Sequence, residues 1–277
     1  MLFKTNAPNF KIYYTVKNKY DGNYPHFGVT AREGIHILYR YPNTKNWFNV
    51  DAFSSKNSPI HVNMKYIIRN NEEYEILIYK PKLSEITQLK IEPPENYTIK
   101  YLESEKDKTI LVAGGIHSFG IGCTASGVMF PNILGRKLNY NIQNISFNEK
   151  NYLMNTYKCF KIYEYPKTEL AILELDYILQ DEKIFNKYVK KVIKQIKSKA
   201  NYLICWYAIP RTEVKKHEKI KKLMKKYSKD KKIEILDLSF IYNEKYSEMC
   251  THSKNFINDT GNIMIYKKLE EAIKKIE

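Results

Sequence analysis

Hydrophobic and polar positions follow two different patterns along the 277-residue chain. Up to about residue 105, short apolar runs rich in Tyr, Val, Ile and Thr alternate with clusters of Asn, Gly, Pro and Asp, which is typical of strands and turns. The clearest predicted strands are Lys11–Val16, Gly34–Tyr39, Val62–Ile68 and Glu73–Tyr79. No helical period of useful length interrupts them. Residues 1–105 are therefore predicted to form a small antiparallel β-sandwich.

The second pattern begins after a linker that we place at Pro94 and the charged stretch Glu103–Lys108. Strand-like runs then alternate with amphipathic helical stretches, which indicates a parallel sheet with helical crossovers. The predicted strands are Thr109–Ala113, Ile142–Phe147, Leu170–Leu175, Tyr202–Ala208 and Ile233–Leu238, and the predicted helices are Ser126–Leu138, Asp181–Ser198, Thr212–Ser228 and Gly261–Lys275. Asp259 to Gly261 are interpreted as the turn and cap that open the last helix. Residues 106–277 are thus predicted to be a flavodoxin-like, three-layer α/β domain.

Composition places the chain among folded, soluble proteins. Apolar residues make up 43% of it, which is enough for a sizeable core, and no run approaches the ~18 apolar residues of a membrane span. The N-terminal segment Met1–Asn6 lacks the apolar core of a signal peptide, so we expect a cytoplasmic protein. The four cysteines are widely spaced and form no CxxC pair, so we expect free thiols, no metal and no cofactor.

The formal net charge of +16 raises the question of a nucleic-acid partner. Most of the excess lies in Lys187–Lys199 and Lys215–Lys232, where lysines interleave with Val, Ile, Leu and Met at helical spacing. Lysine also dominates over arginine, the better reader of phosphates and base edges. We therefore interpret these segments, and His217 within them, as solvated outer faces of helices, and expect neither a nucleic-acid nor a membrane partner. The oligomeric state stays open.

One segment combines a strand, a turn of small residues and the start of a helix. Thr109–Ala113 leads into Gly114 and Gly115, and the residues that follow are His117, Ser118 and further glycines. This layout puts backbone donors at the carboxyl end of a strand, which is where open α/β sheets place their sites. A phosphate-cradling turn is disfavoured, because the segment has neither a Walker lysine nor a GxGxxG spacing.

Gly114–Gly120 resembles the first sequence block of SGNH/GDSL-type ester hydrolases, Gly-Asp-Ser-(Ile/Leu)-(Ser/Thr)-x-Gly. Met129–Leu138 is similar to the Met-(Ala)-(Tyr/Phe)-Pro-x-Ile-Leu-Gly-Arg run of one branch of that family, which carries an N-terminal β-sandwich. Tyr74–Leu83 resembles the last sandwich strand of that branch, and Asn144–Phe147 resembles the second block, Asn-Leu-Gly-Phe. The resemblance implies an enzyme that hydrolyses acyl esters of carbohydrates.

The catalytic positions of that family are altered in this chain. Ile116 stands where the resemblance places the nucleophilic serine. In the last block, Asp-x-x-His-Pro-Asn-Asp-x-Gly, Ser253 falls on the aspartate and Phe256 on the histidine. Ser146 replaces a glycine of the second block, and the oxyanion asparagine of the third block is absent unless Gln180 substitutes for it. The usual serine triad therefore cannot operate.

Two hypotheses of different classes follow. In the first, the domain is a pseudo-hydrolase in which fold and pocket persist, so that it binds a glycan or an acylated small ligand without chemistry. The pocket residues predicted on this basis are Gly115, Ile116, His117, Ser146, Asn148, Gln180 and Phe256.

In the second hypothesis the reactive groups have moved, giving an active ester hydrolase or acyltransferase. Ser118 or Cys123 would be the nucleophile and His252 the base, provided that the pair closes to about 3 Å. Simpler interpretations exist for each of them: Ser118 as a structural residue, Cys123 as a packing residue and His252 as a surface histidine.

Overall fold

The structure is a computed structural model that describes residues 1–17, 26–54, 58–69, 72–103, 106–175, 181–253 and 256–276. The chain forms two compact units. The first comprises Met1–Glu105 together with Thr124–Val128, and the second comprises Lys106–Cys123 and Met129–Glu277. The sequence pattern gave no sign that residues 124–128 return to the first unit.

Two antiparallel sheets build the first unit. Its described strands are β1 (Leu2–Thr5), β2 (Asn9–Lys17), β3 (Ile35–Arg40), β4 (Phe48–Phe53), β5 (Ile60–Asn63), β6 (Tyr74–Tyr79), β7 (Glu85–Glu92) and β8 (Lys100–Tyr101). One sheet has the order β4-β3-β6-β1-β8 and the other β5-β2-β7. Buried and partly exposed residues alternate along β6, as expected when one face of a strand is covered. Both sheets contribute to one apolar core, which includes Phe10, Ile12, Ile37 and Ile76.

Two local predictions in this unit were wrong. The predicted strand Val62–Ile68 ends at Asn63, because the N–H groups of Ile67 and Ile68 both turn back to the Met64 carbonyl. A short helix α1 (Val29–Glu33) also occurs where no helix was predicted. The returning segment 124–128 is held by His36, whose Nδ1 accepts the Gly127 N–H at 3.0 Å.

A single parallel sheet forms the centre of the second unit. Its strands are β9 (Thr109–Gly114), β10 (Asn141–Ser146), β11 (Thr168–Glu174), β12 (Ala200–Tyr207) and β13 (Ile233–Asp237), within one residue or two of their predicted bounds. They lie in the order β10-β9-β11-β12-β13, and every neighbouring pair is parallel. The first strand therefore lies between the second and the third, which is the flavodoxin-like order.

Helices cover both faces of this sheet. They are α2 (Ile116–Phe119), α3 (Phe130–Lys137), α4 (Tyr152–Ile162), α5 (Glu182–Lys197), α6 (Val214–Tyr227), α7 (Ser247–Cys250) and α8 (Asp259–Ile276), and the short strands β14 (Thr251–Ser253) and β15 (Phe256–Ile257) pair between α7 and α8. Side chains of α3 and α8 share one core with the sheet, and those of α4, α5 and α6 share the other. The three-layer α/β prediction is confirmed.

The helix predictions were accurate where the amphipathic pattern was strong. Helix α5 begins after Asp181, whose carboxylate accepts the N–H groups of Lys183 and Ile184. The predicted helix 126–138 starts only at Phe130, where Pro131 occupies the first turn. Helix α4 was missed because its apolar residues form no clear stripe. The cap of α8 is Asn258, whose side chain accepts the Gly261 N–H at 3.1 Å.

None of the helices in the described ranges combines the length and the apolar character needed to span a lipid bilayer.

Candidate functional site

The carboxyl ends of β9 and β11 mark the point in the second unit's sheet where the strand order reverses. Ligands of open α/β sheets bind in the crevice at such a point. In the register of the two strands, Leu173 is the partner of Ala113, so Glu174 lies at the level of Gly114. Gly115 then leads into helix α2, which ends at Phe119 and is followed by Gly120 with a left-handed φ of 101°. The first residues after β9 and the last residue of β11 therefore form this edge.

A buried carboxylate occupies the edge. Glu174 is 0% exposed, and its Oε2 accepts the backbone N–H of Ser118 at 2.6 Å and of Gly115 at 3.2 Å. Its Oε1 accepts the N–H of His117 at 3.3 Å. Backbone N–H groups at the start of a helix are a favourable environment for an anion, and they compensate the loss of hydration that burial causes. The turn after β9 thus binds an anionic group, and this group is the chain's own Glu174 carboxylate.

Two glycines make this arrangement possible. A Cβ at Gly114 would lie 2.5 Å from Ser118 Oγ and 2.7 Å from Glu174 Oε2. A Cβ at Gly115 would lie 2.9 Å from the ring of Tyr152. The Tyr152 hydroxyl in turn donates to the Glu174 carbonyl at 2.6 Å. The Gly-Gly pair is therefore explained by the close approach of Glu174 and Tyr152.

The neighbouring strand β10 contributes amide and hydroxyl groups. Asn144 Nδ2 donates to the Ser118 carbonyl at 2.8 Å, while Asn144 Oδ1 accepts from both the N–H and the hydroxyl of Ser146, at 3.1 and 2.5 Å. Ser146 is half-buried, and so is Asn148 in the bend that follows. Asn144 thus links β10 to helix α2 by a hydrogen bond, and Ser146 fixes the orientation of the Asn144 amide.

The three side chains that follow Gly115 are all buried. Ile116 is 3% exposed, and Ser118 is 0% exposed. The Ser118 hydroxyl has no hydrogen-bond partner among the described residues. No base among the described residues therefore accepts a hydrogen bond from this hydroxyl.

His117 lies in the apolar interior and is 1% exposed. Burial lowers the pKa of its imidazole from the ordinary value of 6.5 to about 3, so the ring is neutral at neutral pH. Its Nε2 lies 3.5 Å from the Tyr242 hydroxyl, and its ring centroid lies 6.2 Å from that of Trp206. Nδ1 has no hydrogen-bond partner within the described part of the chain.

The residues of the relocated-chemistry hypothesis are placed as follows. His252, in β14, is exposed, and its Nε2 lies 3.0 Å from the Gly122 carbonyl oxygen. Cys123 follows directly after that residue and is 0% exposed. His252 thus reaches the backbone beside Cys123, whereas its ring makes no hydrogen bond to Ser118. Phe256 is half-buried in β15, and Gln180 lies outside the described residues.

Glu174 is the contributor whose role the sequence did not predict. The signal for it was a single acidic residue near the end of the apolar run Leu170–Leu175. Tyr242 stands in no recognisable motif and was not singled out, and Asn144 was noted as the start of the second block but was given no role in the site. No group of three or more His, Cys, Asp or Glu residues suited to a metal ion occurs in the described ranges.

Chemically, the edge differs from a hydrolytic site in two ways. Backbone N–H groups that could stabilise an oxyanion at the start of α2 neutralise the Glu174 carboxylate instead. The hydroxyl of Ser118 is buried and has no hydrogen-bond partner among the described residues. The start of α2 and Glu174 thus form a buried polar arrangement in which the backbone donors are already engaged.

The chain resembles known proteins in structure rather than in sequence. No protein-family model and no curated protein matches the sequence. Among solved structures, the chain is similar to that of a GDSL-like lipase from Bacteroides ovatus, with a TM-score of 0.77 and 20% identity over 99% of this chain and 83% of that one.

Two further structures are similar along nearly the whole chain. The salicylyl-acyltransferase SsfX3 from a tetracycline biosynthetic pathway matches with a TM-score of 0.61 and 12% identity, over 99% of this chain and 81% of that one. A family two carbohydrate esterase from Cellvibrio japonicus matches with a TM-score of 0.55 and 8% identity, over 99% of this chain and 87% of that one. Together with the strand order described above, these similarities show that the chain has the SGNH/GDSL hydrolase fold.

Proposed function

We propose that this chain is a ligand-binding protein on the SGNH/GDSL fold, one that does not hydrolyse esters by a serine mechanism. The observation that carries the proposal is Ile116, a buried aliphatic residue in the place where the resemblance puts the nucleophile. An aliphatic side chain can neither attack a carbonyl carbon nor lose a proton. With Phe256 in the place of the histidine, the base is missing as well.

Glu174 also argues against ester hydrolysis, because it affects how the transition state could be stabilised. Its buried carboxylate engages the N–H groups of Gly115, His117 and Ser118. A negative charge at this point opposes the development of a second negative charge on a substrate oxygen, because like charges repel strongly where water is excluded. Binding of a neutral ligand does not meet this obstacle.

The class of ligand is inferred from the proteins that share the fold. One neighbour is a carbohydrate esterase and another is a salicylyl-acyltransferase, so both handle acyl groups. We therefore propose a glycan or an acylated small molecule as the ligand, bound at this edge beside Ser146 and Asn148 at the end of β10. We propose no nucleic-acid or membrane partner.

An ester-hydrolysis assay tests the absence of serine chemistry. Purified protein is incubated with 4-nitrophenyl acetate and 4-nitrophenyl butyrate, beside its Ser118→Ala and Cys123→Ala variants. The expected result is the same low rate of release for all three proteins, equal to that of a denatured sample. Turnover that disappears in Ser118→Ala or in Cys123→Ala, with an unchanged melting temperature, would establish a relocated nucleophile and sink the proposal.

A binding assay tests the ligand class. Acetylated and deacetylated oligosaccharides are titrated into the protein by calorimetry, and the titration is repeated with Asn148→Ala. Asn186→Ala is the matched control, because it removes the same side chain from an exposed position on α5. We expect saturable binding that weakens about tenfold in the first variant, the loss of a good hydrogen bond, and stays unchanged in the second. Equal affinity in both variants would place the ligand elsewhere.

A further inference from the structure

A groove on the outer side of the second unit lies apart from the edge just described. It has a volume of about 780 Å³ and is bordered by helix α6 and by residues of β12 and β13. Its floor is apolar: Tyr207 and Met224 are 3% and 2% exposed, and Ile235 lies beside them. Its rim is charged, and the remaining lining residues are Glu218, Lys219, Lys221, Lys222, Lys225 and Ser228. A volume of this size is in the range of sites that hold small organic molecules.

The positive charge of the rim is largely uncompensated. Lys219 pairs with Glu182 at 2.7 Å. Within the described residues, the ammonium groups of Lys221, Lys222 and Lys225 make neither an ion pair nor a hydrogen bond. One acidic residue, Glu218, faces these lysines from the same helix. The groove is thus a positively charged rim around an apolar floor.

The surroundings add to this local charge. The stretch from Glu182 to Lys232 holds 18 of the 46 basic residues of the chain and 4 of the 30 acidic ones, so it accounts for +14 of the net +16. Helices α5 and α6, which form most of this stretch, share one core on the same face of the sheet. A field of one sign over such a face raises the local concentration of anions.

The phenol of Tyr207 is the polar group on the floor of the groove, and it carries no negative charge that would repel an anion. Burial, followed by the nearby Asp237 carboxylate, raises the pKa of the Tyr207 phenol well above its ordinary value of 10.0, so that it stays neutral. Asp237 itself is engaged, since His217 Nε2 lies 2.8 Å from its Oδ2 and the Ser239 N–H donates to its Oδ1 at 3.0 Å. His217, which was predicted to lie on a solvated helix face, is partly exposed and makes this pairing.

A second cavity of the same unit shows what distinguishes the groove. It measures about 600 Å³ at the amino ends of the strands, and there Lys108 and Lys167 are balanced by Asp107 and Glu169. Charge balance of that kind gives no preference for an anion. Of these two cavities, it is the α6 groove that combines an excess of cations with an apolar floor.

We propose that the α6 groove binds an amphipathic organic anion, a carboxylate, sulfonate or phosphate head group on an apolar chain or ring. The apolar part lies on Met224, Tyr207 and Ile235, where its burial removes hydrocarbon from water. The head group lies among the ammonium groups of Lys221, Lys222 and Lys225, whose aliphatic stems extend the apolar floor. This site is independent of the function proposed for the edge at Glu174.

Fluorescence of 8-anilinonaphthalene-1-sulfonate tests the proposal, because this probe is itself a sulfonate on an apolar ring system. Decanoate, 1-decanol and acetate are added as competitors. We expect decanoate to displace the probe, since it carries both parts of the ligand. Acetate lacks the apolar chain and decanol lacks the charge, so neither should compete at equal concentration.

Matched variants locate the site. Lys221→Gln/Lys225→Gln removes two charges that line the groove, and Lys226→Gln/Lys229→Gln removes two charges from the same segment outside it. We expect the dissociation constant of decanoate to rise about fivefold or more in the first double variant, the loss of two partly exposed ion pairs, and to change less than twofold in the second. Equal weakening in both, competition by decanol as effective as that by decanoate, or no saturable binding would each overturn the proposal.

Discussion

The edge at Glu174 and the α6 groove arrange charge in opposite ways within one unit. At the edge, a fully buried carboxylate accepts backbone N–H groups from three residues. In the groove, exposed ammonium groups surround an apolar floor with few acidic partners. A charge compensated from within contributes to the fold, because burying it without partners would be costly. A charge left uncompensated at the surface is available to a ligand from outside.

The largest expected effect on the free energy of unfolding comes from removing the buried carboxylate of Glu174. Glu174→Leu leaves the N–H groups of Gly115, His117 and Ser118 without their acceptor, which should cost at least about 3 kcal/mol of the free energy of unfolding. Glu169→Leu is the control, because the same change is made at an exposed position of the same strand and should stay within about 0.5 kcal/mol. Urea unfolding measures both. If the two variants are equally stable, the carboxylate is dispensable and the N–H groups are open to a ligand.

The next effect concerns pH and the buried His117. Its pKa is about 3 in the folded state against 6.5 for the free group, so between these values the unfolded chain binds the extra proton. Stability should therefore be unaffected by this group above pH ~6.5 and should fall by up to about 1.4 kcal/mol per pH unit as the pH decreases toward 3. The slope should flatten in His117→Leu and persist in His61→Leu, a change at an exposed histidine. Equal slopes in the wild type and in His117→Leu would contradict a neutral, buried imidazole.

A smaller loss of stability is expected at Tyr152, whose hydroxyl donates a hydrogen bond to the main-chain carbonyl of Glu174. Tyr152→Phe removes the hydrogen bond to the Glu174 carbonyl and should cost about 1 kcal/mol of the free energy of unfolding. Tyr157→Phe is the matched change on the same helix, because the Tyr157 hydroxyl makes no hydrogen bond within the described residues. Urea midpoints of the two variants should differ accordingly, and identical midpoints would argue that the Tyr152 hydroxyl adds nothing to the edge.

The smallest effect on stability is expected in the groove. Lys221→Gln/Lys225→Gln removes two like charges one helical turn apart, so the free energy of unfolding should change by no more than about 0.5 kcal/mol. The same urea titration measures this change. A loss as large as that of Tyr152→Phe would mean that these lysines support the fold. In that case the difference between the edge and the groove would not hold.

Much of the fold could be predicted from the alternation of apolar and polar residues. Strong patterns gave close bounds, as at α5, where the capping Asp181 and the apolar stripe agree. Weak or mixed patterns failed: α4 has no clear stripe, and the run beginning at Val62 turns at Met64 although its residues favour strands. Local propensity decides only where tertiary contacts do not oppose it.

The sequence by itself determined two things about the candidate site: its position after β9, and the aliphatic side chain at Ile116. The tertiary structure alone decided what the turn there holds. Glu174 lies 56 to 59 residues away from the amides it engages, and only the parallel register of β9 and β11 brings it to the level of Gly114. The α6 groove likewise exists only because β12, β13 and the helix pack side by side. Short-range patterns specify elements, whereas a site depends on the distances that packing sets between them.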